Sequence, residues 1–356
     1  MKRTLTALVV LALAASASLW ASELPSLYRG VRVMGMGGAF VALSDDENAL
    51  VYNPAGLAQI ATPRFILPLP EISFNSKALD IYTDAADTDF DDVTDTADFL
   101  RAHMGETGYA SLAIFPAYVK QNFGFGVIGK ADMSLGPENP VYPLLHINAT
   151  QDGAACAGFA RSLAGGDLLA GVGAKYVFRR SIDRGYTVSQ ITSGDFEDTV
   201  RDDFEEGAGF LLDLGVIYKV GGYRVADTPG TVQAGASVCN LVGGRLGDAR
   251  DLDTHVDLSI ATHIGDKLTL ALDYTDVAGR MGDDDDAGKR IHAGIEYRLA
   301  AGVTLRTGLN QGYPTFGIGL ASKRAVLDIA SYAEETGTYA GQKDDRRYMA
   351  RLGIVF

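Results

Sequence analysis

The sequence predicts an all-β protein, a transmembrane antiparallel β-barrel of about fourteen strands closed around an N-terminal hatch, or plug. Three observations carry that reading. From Phe65 to Phe356, apolar and polar residues alternate with a period of two, in segments near ten residues long. The connections between these segments mostly alternate between long and short, the habit of barrels with short periplasmic turns and long outer loops. The chain also begins with an export signal, yet beyond it has no run of ~20 apolar residues that could cross a bilayer as a helix. Composition agrees. Among 356 residues, 47% are hydrophobic and 42 are glycine, and the mean hydropathy is only +0.06, which does not suit a helical membrane protein. The net charge of −14 argues against a nucleic-acid partner, which selects clustered Lys and Arg.

The first element, residues 1–21, reads as a signal peptide. Lys2 and Arg3 form its charged end and Leu5 to Ala14 its apolar stretch; Ala15-Ser16-Ala17 fits the A-x-A cleavage rule, and Ala21 is a second cleavage point. No cysteine stands there to take a lipid. The expected location is the outer membrane, with membrane lipid and the barrel-assembly machinery as partners.

Residues 22–64 are too few for a domain, and they precede a cylinder wider than its own side chains can fill. They are read as a hatch inside the lumen. Gly35-Met36-Gly37-Gly38 is an incomplete dinucleotide loop: no βαβ unit follows, and the acids come about ten positions later instead of ~20. These glycines suit close backbone approaches instead. Ser44-Asp45-Asp46-Glu47 suggests a short helix through Leu50, capped by Ser44 with Glu47 reaching back, and Asn53-Pro54 suggests its end.

Strands are expected near 65–76, 108–120, 124–134, 149–161, 168–180, 207–219, 230–242, 253–264, 267–276, 289–299, 302–311, 314–322, 325–334 and 345–356. In the last, Tyr348, Ala350, Leu352, Ile354 and Phe356 share one face, and Arg347, Met349, Arg351 and Gly353 the other. Short turns are expected at 122–123, 164–167, 265–266, 300–301 and 323–324; 220–229 reads as intermediate, and 312–313 as short where a long loop was due. A terminal phenylalanine on an amphipathic strand looks like the signal read by outer-membrane assembly. The long loops carry acid at 84–98, 195–206 and 283–286, read as solvated surface. Asp87, Asp89, Asp91, Asp95 and Asp98 have calcium-loop spacing, but Asp92 occupies the glycine position and Asp98 replaces the bidentate glutamate.

The stretch GMGGAFVALSDDENALVYNPAGLA, within residues 29–58, resembles the N-terminal signature of the FadL-like outer-membrane transporters of hydrophobic compounds, including their spirochaetal branch. The resemblance rests on Gly35, Met36, Gly37 and Gly38 with Asn53, Pro54, Ala55 and Gly56. It implies a fourteen-stranded barrel with a hatch, and passive passage of a ligand such as a long-chain fatty acid from outer loops to a lumenal pocket. Release would follow around the hatch or sideways between strands, where an acyl chain avoids ~0.8 kcal/mol of water exposure per CH₂. Ligand-contact candidates are Phe40, Leu43, Leu50 and Leu57 on the hatch, with Val41 beside them, and the inward-facing cations Lys175, Arg298, Arg306 and Arg351. Packing of the plug and ion pairing compete with these roles; Glu296 falls opposite Arg306 across the 300–302 turn.

No enzyme signature, cofactor motif or metal site is read from the chain. His103, His146, His255, His263 and His292 are scattered, with His255 and His263 at opposite ends of one strand face. Cys156 and Cys239 are expected to be free thiols facing the lumen. The alternatives to a transporter are a structural or partner-binding barrel of the secretion-shuttle kind and an open polar porin.

Overall fold

A computed structural model describes residues 25–242, 244–281 and 286–356. The signal peptide, its cleavage point after Ala21, and residues 283–285 of one acidic loop lie outside them. Fourteen antiparallel strands pair in sequence order, and the last pairs with the first to close the barrel. We number them β1 (Arg64–Pro68, continued by Glu71–Asn75), β2 (Gly108–Ile114, continued by Ala117–Lys120), β3 (Phe123–Glu138), β4 (Leu144–Leu163) and β5 (Leu168–Thr187). There follow β6 (Glu205–Val225), β7 (Thr228–Cys239), β8 (His255–Ile264), β9 (Leu268–Tyr274) and β10 (Ile291–Ala300). The wall ends with β11 (Val303–Asn310), β12 (Tyr313–Ala321), β13 (Ala325–Glu335) and β14 (Asp344–Val355).

Strand parity sorts the residues as the alternation requires. Along β14, Tyr348 and Leu352 are 45% and 42% exposed on the lipid side, whereas Arg347 and Arg351 are 2% and 7% exposed inside. Closure leaves no edge whose backbone groups would face hydrocarbon.

Three stretches differ from the sequence expectation. Strands β3 to β6 run 16 to 21 residues, well past the expected ends, so the outer connection between β3 and β4 is only residues 139–143. Beyond the bilayer neither face must be apolar, so the hydrophobic period that marks a strand disappears there. The 220–229 connection is a two-residue turn: Ala226 and Asp227 both have positive φ (42° and 71°), and Gly221 sits at a bulge in β6. The first outer loop carries two helices, Ser76–Ala86 and Val93–Ala102, and Asp92 caps the second, where the calcium-like spacing falls.

Two neighbouring strands are interrupted at the same height. Between Ile66↔Ala117 and Glu71↔Ala113, residues 67–70 of β1 stand opposite only 114–116 of β2. Against β14, residues 69–71 stand opposite 351–352. Pro68, Pro70 and Pro116 lie in this patch, and proline cannot donate to a ladder.

Candidate functional site

Residues 25–60 fill the lumen. A short helix (Val31–Gly35) packs on β12 and β13, and two 3₁₀ turns (Glu47–Leu50 and Pro54–Gln59) pack on β3 to β6. Wall glycines give this segment its seat. A methyl group on Gly171 would stand 2.3 Å from the Ala55 nitrogen, and one on Gly294 would stand 2.4 Å from the Met36 carbonyl oxygen. In return, hatch Gly37 (φ 67°) would bring a methyl within 2.5 Å of the Leu309 carbonyl. Glycine on both sides lets backbone approach backbone.

The motif residues are structural fasteners. Asn53 caps the second 3₁₀ turn by accepting from the Ala55 N–H (3.1 Å), and its amide donates to the Val41 carbonyl (2.9 Å). Weaker contacts at 3.4 Å reach Val216 of β6 and Ala236 of β7. Pro54 follows at the first helical position, where its missing N–H costs nothing. A methyl on Gly56 would collide with the Ser44 carbonyl. The first 3₁₀ turn is capped by Asp46 and not by Ser44, whose hydroxyl donates back to the Phe40 carbonyl (3.0 Å). On β9, Asp273 accepts from the Phe40 and Val41 N–H groups (2.7 and 2.8 Å) and from Ser259. His292 of β10 bonds the Gly37 carbonyl at 2.9 Å.

Charges join plug to wall in one continuous series. Arg32 reaches Asp45 (2.6 Å) and Asp46 (2.8 Å) and grips Glu296 with two bonds of 2.9 Å. Glu296 also accepts from Arg306, Arg306 donates to Asp328, Asp328 accepts from Arg351, and Arg351 donates to Glu47. The series therefore leaves the hatch at Arg32 and returns to it at Glu47. Burial disfavours the Asp46 anion, but the Arg32 charge and bonds from Arg32 and Asn48 outweigh it and hold the carboxyl below its ordinary value. Burial and the adjacent Asp46 push Glu47 up, against the pull of Arg351.

Arg306 and Arg351 lie in this series, with Glu296 facing Arg306 across the β10–β11 hairpin. Lys175 pairs with Asp213 at 2.7 Å, both buried. Arg298 lies exposed at the periplasmic rim, 3.4 Å from the Asp266 carbonyl. Leu50 and Leu57 pack against Val119, Cys156, Leu169 and Ile217, while Phe40 and Leu43 pack with Met36 and Ala261. Val41 is buried as well.

Sequence reading missed Arg32, Tyr28 and Asp273. Asp273 left a usable signal: a lumen-facing acid with Ser259 and His292 across the strands needs donors from elsewhere. Tyr28 stacks edge-on against Phe115 (5.0 Å between centroids) and donates to Glu71 (3.0 Å). Phe115 and Glu71 border the wall interruption, so Tyr28 covers it from inside.

On the outer side, a cavity of about 350 Å³ lies between the start of the hatch and the loops. Its lining is charged: Lys130, which donates to the Ser26 carbonyl (2.9 Å), Arg179, gripped by Asp152 (2.7 and 2.8 Å), and Arg347, paired with Asp345 (2.7 Å). Farther out, loop residues Ile81, Phe99 and Leu100 pack with Ile182, Tyr186 and Ile191 into an apolar cap. Leu79, Tyr82 and Val93 stay exposed on it.

Comparison with solved structures finds this architecture again. TodX of Pseudomonas putida, titled a toluene transporter, aligns over 94% of this chain and 98% of its own at 13% identity, with a TM-score of 0.50. The CymD monoaromatic hydrocarbon channel aligns over 95% and 98%, also at 13% identity and a TM-score of 0.50. A TodX variant titled deltaS2S3 gives 14% identity over 92% and 97%, with a TM-score of 0.51. At these identities the likeness establishes the fold, that of outer-membrane β-barrels. No family model and no curated protein matches the sequence.

Proposed function

We propose that the chain is an outer-membrane channel for passive uptake of hydrophobic ligands, gated by its hatch, and not an enzyme. The observation that carries this is the double interruption of β1 and β2 behind Tyr28: a weak point in the wall, lined by prolines, faces lipid through Leu67, Leu69 and Ile114. A ligand caught on the exposed apolar loop residues would pass inward when the hatch shifts and leave sideways into the membrane. Lateral exit keeps apolar surface away from water. The monoaromatic cargo named for CymD and the acyl cargo implied by the 29–58 motif are the two ligand classes to test.

In this reading, Phe40, Leu43, Leu50 and Leu57 meet ligand only after the hatch moves, because they are buried in its packing. A carboxylated ligand would compete with Asp213 for Lys175, or with Glu47 and Asp328 for Arg351. Arg306 would have to leave Glu296 and Asp328, whereas Arg298 stands at the periplasmic rim, away from the β1–β2 interruption.

The test is titration of the purified mature barrel in detergent with a fluorescent long-chain fatty acid, with toluene as competitor and empty micelles as blank. A Tyr28→Ala variant and a form lacking residues 22–60 run beside it. Saturable binding that changes when the hatch is removed supports the channel. A folded barrel that binds neither probe sinks it. The dense pairing of Arg32, Arg306 and Arg351 favours one other reading, a sealed barrel that docks a partner, and that reading predicts no saturable ligand.

A further inference from the structure

Three metal-ligating side chains converge where the wall meets the hatch. Cys239 ends β7 and is the direct cross-strand partner of His255, which opens β8; Asp257 lies two residues on, so all three face the lumen. Their donor atoms lie within 4.8 Å of one another, and among the described residues this is the one such group of three. Cys239 is buried and unbridged, and Asp257 is buried beside it.

The surroundings are arranged as a metal's outer partners would be. The Asp253 carbonyl accepts from His255 Nδ1 at 3.0 Å, which leaves Nε2 as the ring nitrogen facing Asp257 Oδ2, 3.6 Å away. Asp257 is itself oriented, taking the Asp276 N–H at 2.9 Å and the Ser237 hydroxyl at 3.4 Å. The Tyr52 carbonyl of the hatch lies 3.8 Å from the Cys239 sulfur. Tetrahedral zinc, with bonds of ~2.0–2.3 Å, holds its donors about 3.3–3.7 Å apart. The His–Asp and Cys–Tyr52 spacings are thus already close, and the trio needs to contract by at most ~1.5 Å.

We propose that Cys239, His255 and Asp257 form a binding site for a borderline-soft divalent metal of the zinc class, with the Tyr52 carbonyl or a water as fourth ligand. Binding releases the thiol proton, and the resulting thiolate and the carboxylate together neutralise the dication, so the filled site carries no net charge. The mixed S, N, O donor set selects against calcium and magnesium, which take oxygen. Its place on the seam means that a bound ion would tie β7 and β8 to the hatch next to Asn53.

The test uses the mature chain refolded from urea into detergent with excess Co²⁺, so that burial does not bar entry, then desalted. Folding is checked by heat-modifiable electrophoretic mobility. The expected result is about one Co²⁺ per chain with tetrahedral d–d bands and a thiolate-to-cobalt charge-transfer band. Cys239→Ser should lose that band, Cys156→Ser should keep it, and His255→Ala and Asp257→Asn should each weaken retention tenfold or more. Zn²⁺ should displace the cobalt. A folded barrel that retains no cobalt overturns the proposal, as does equal retention by the wild-type and Cys239→Ser proteins.

Discussion

Replacing Gly171 with alanine tests whether the hatch is held by backbone fit. The added methyl would meet Ala55 N at 2.3 Å, the Pro54 carbonyl carbon at 2.4 Å and its oxygen at 2.6 Å. Ordinary contact needs ~3.5 Å, so one side must retreat by about 1 Å. The strand cannot, since β5 is laddered on both edges. The hatch turn resists too, through the Asn53 cap and the Asn122 N–H bond to the Leu57 carbonyl (2.9 Å). Overpacking costs ~1–3 kcal/mol, and with rigid backbone on both sides the upper end applies. About 3 kcal/mol shifts the seated-to-displaced ratio of the hatch by roughly 150-fold. In planar bilayers, Gly171→Ala should therefore open to ions far more often than wild type, and its hatch should be cut by protease sooner. Gly153→Ala is the control: Gly153 lies on the outward face of β4, and a methyl there meets nothing within 4 Å. Equal conductance and protease resistance in Gly171→Ala, Gly153→Ala and wild type would refute the reasoning.

Other perturbations act on the charges. Arg32→Ala leaves buried Asp46 without its cation and Glu296 with Arg306 alone, and breaking a buried pair costs ~3–5 kcal/mol; hatch proteolysis should rise, and Asp46→Asn in the same chain should restore part of the loss. Asp46 has a carboxyl depressed in the fold, so its stabilisation is complete above its ordinary value of 3.8 and fades as pH falls through the lower folded value. Asp46→Asn should flatten that acid limb of a thermal-melting profile. Tyr28→Ala opens the wall interruption from inside, and vesicles carrying it should take up a hydrophobic probe faster than wild type, with ion conductance little changed.

Much of the wall was legible because lipid imposes a strict rule: every second residue must be apolar, as in β14 and β10. The rule lapses where strands leave the bilayer, and there the reading stopped short, at Arg180 in β5 and before Glu205 in β6. The bulge at Gly221 and the Ala226-Asp227 turn misled it for a related reason, since glycines were read as a break where the ladder merely kinks. Inside the lumen, parity placed Lys175, Arg306 and Arg351 correctly on the inner face, and hairpin register gave the Glu296–Arg306 pair. Contacts between hatch and wall were beyond reach. Arg32 meets Glu296, and Glu47 meets Arg351, through topology and not through any local spacing. The Cys239–His255 pairing depended on the true ends of β7 and β8, which lie three and two residues inside the expected ones.

Those same contacts bear on how the protein is assembled. The bond from Arg32 to Glu296 joins residues 264 positions apart, and that from Arg351 to Glu47 spans 304. The hatch precedes the wall in the chain, so its wall counter-charges are delivered after it. Arg32 can meet Asp45 and Asp46 within the hatch, but Glu47, and the edge of Arg32 that Glu296 takes, must stay hydrated until β10 through β14 arrive. Such long-range pairing makes folding slow, because chain entropy is lost before the contacts that offset it can form. Closure of β14 onto β1 is then the event that both seals the wall and neutralises the plug, so a barrel that closes early would trap an unsatisfied hatch.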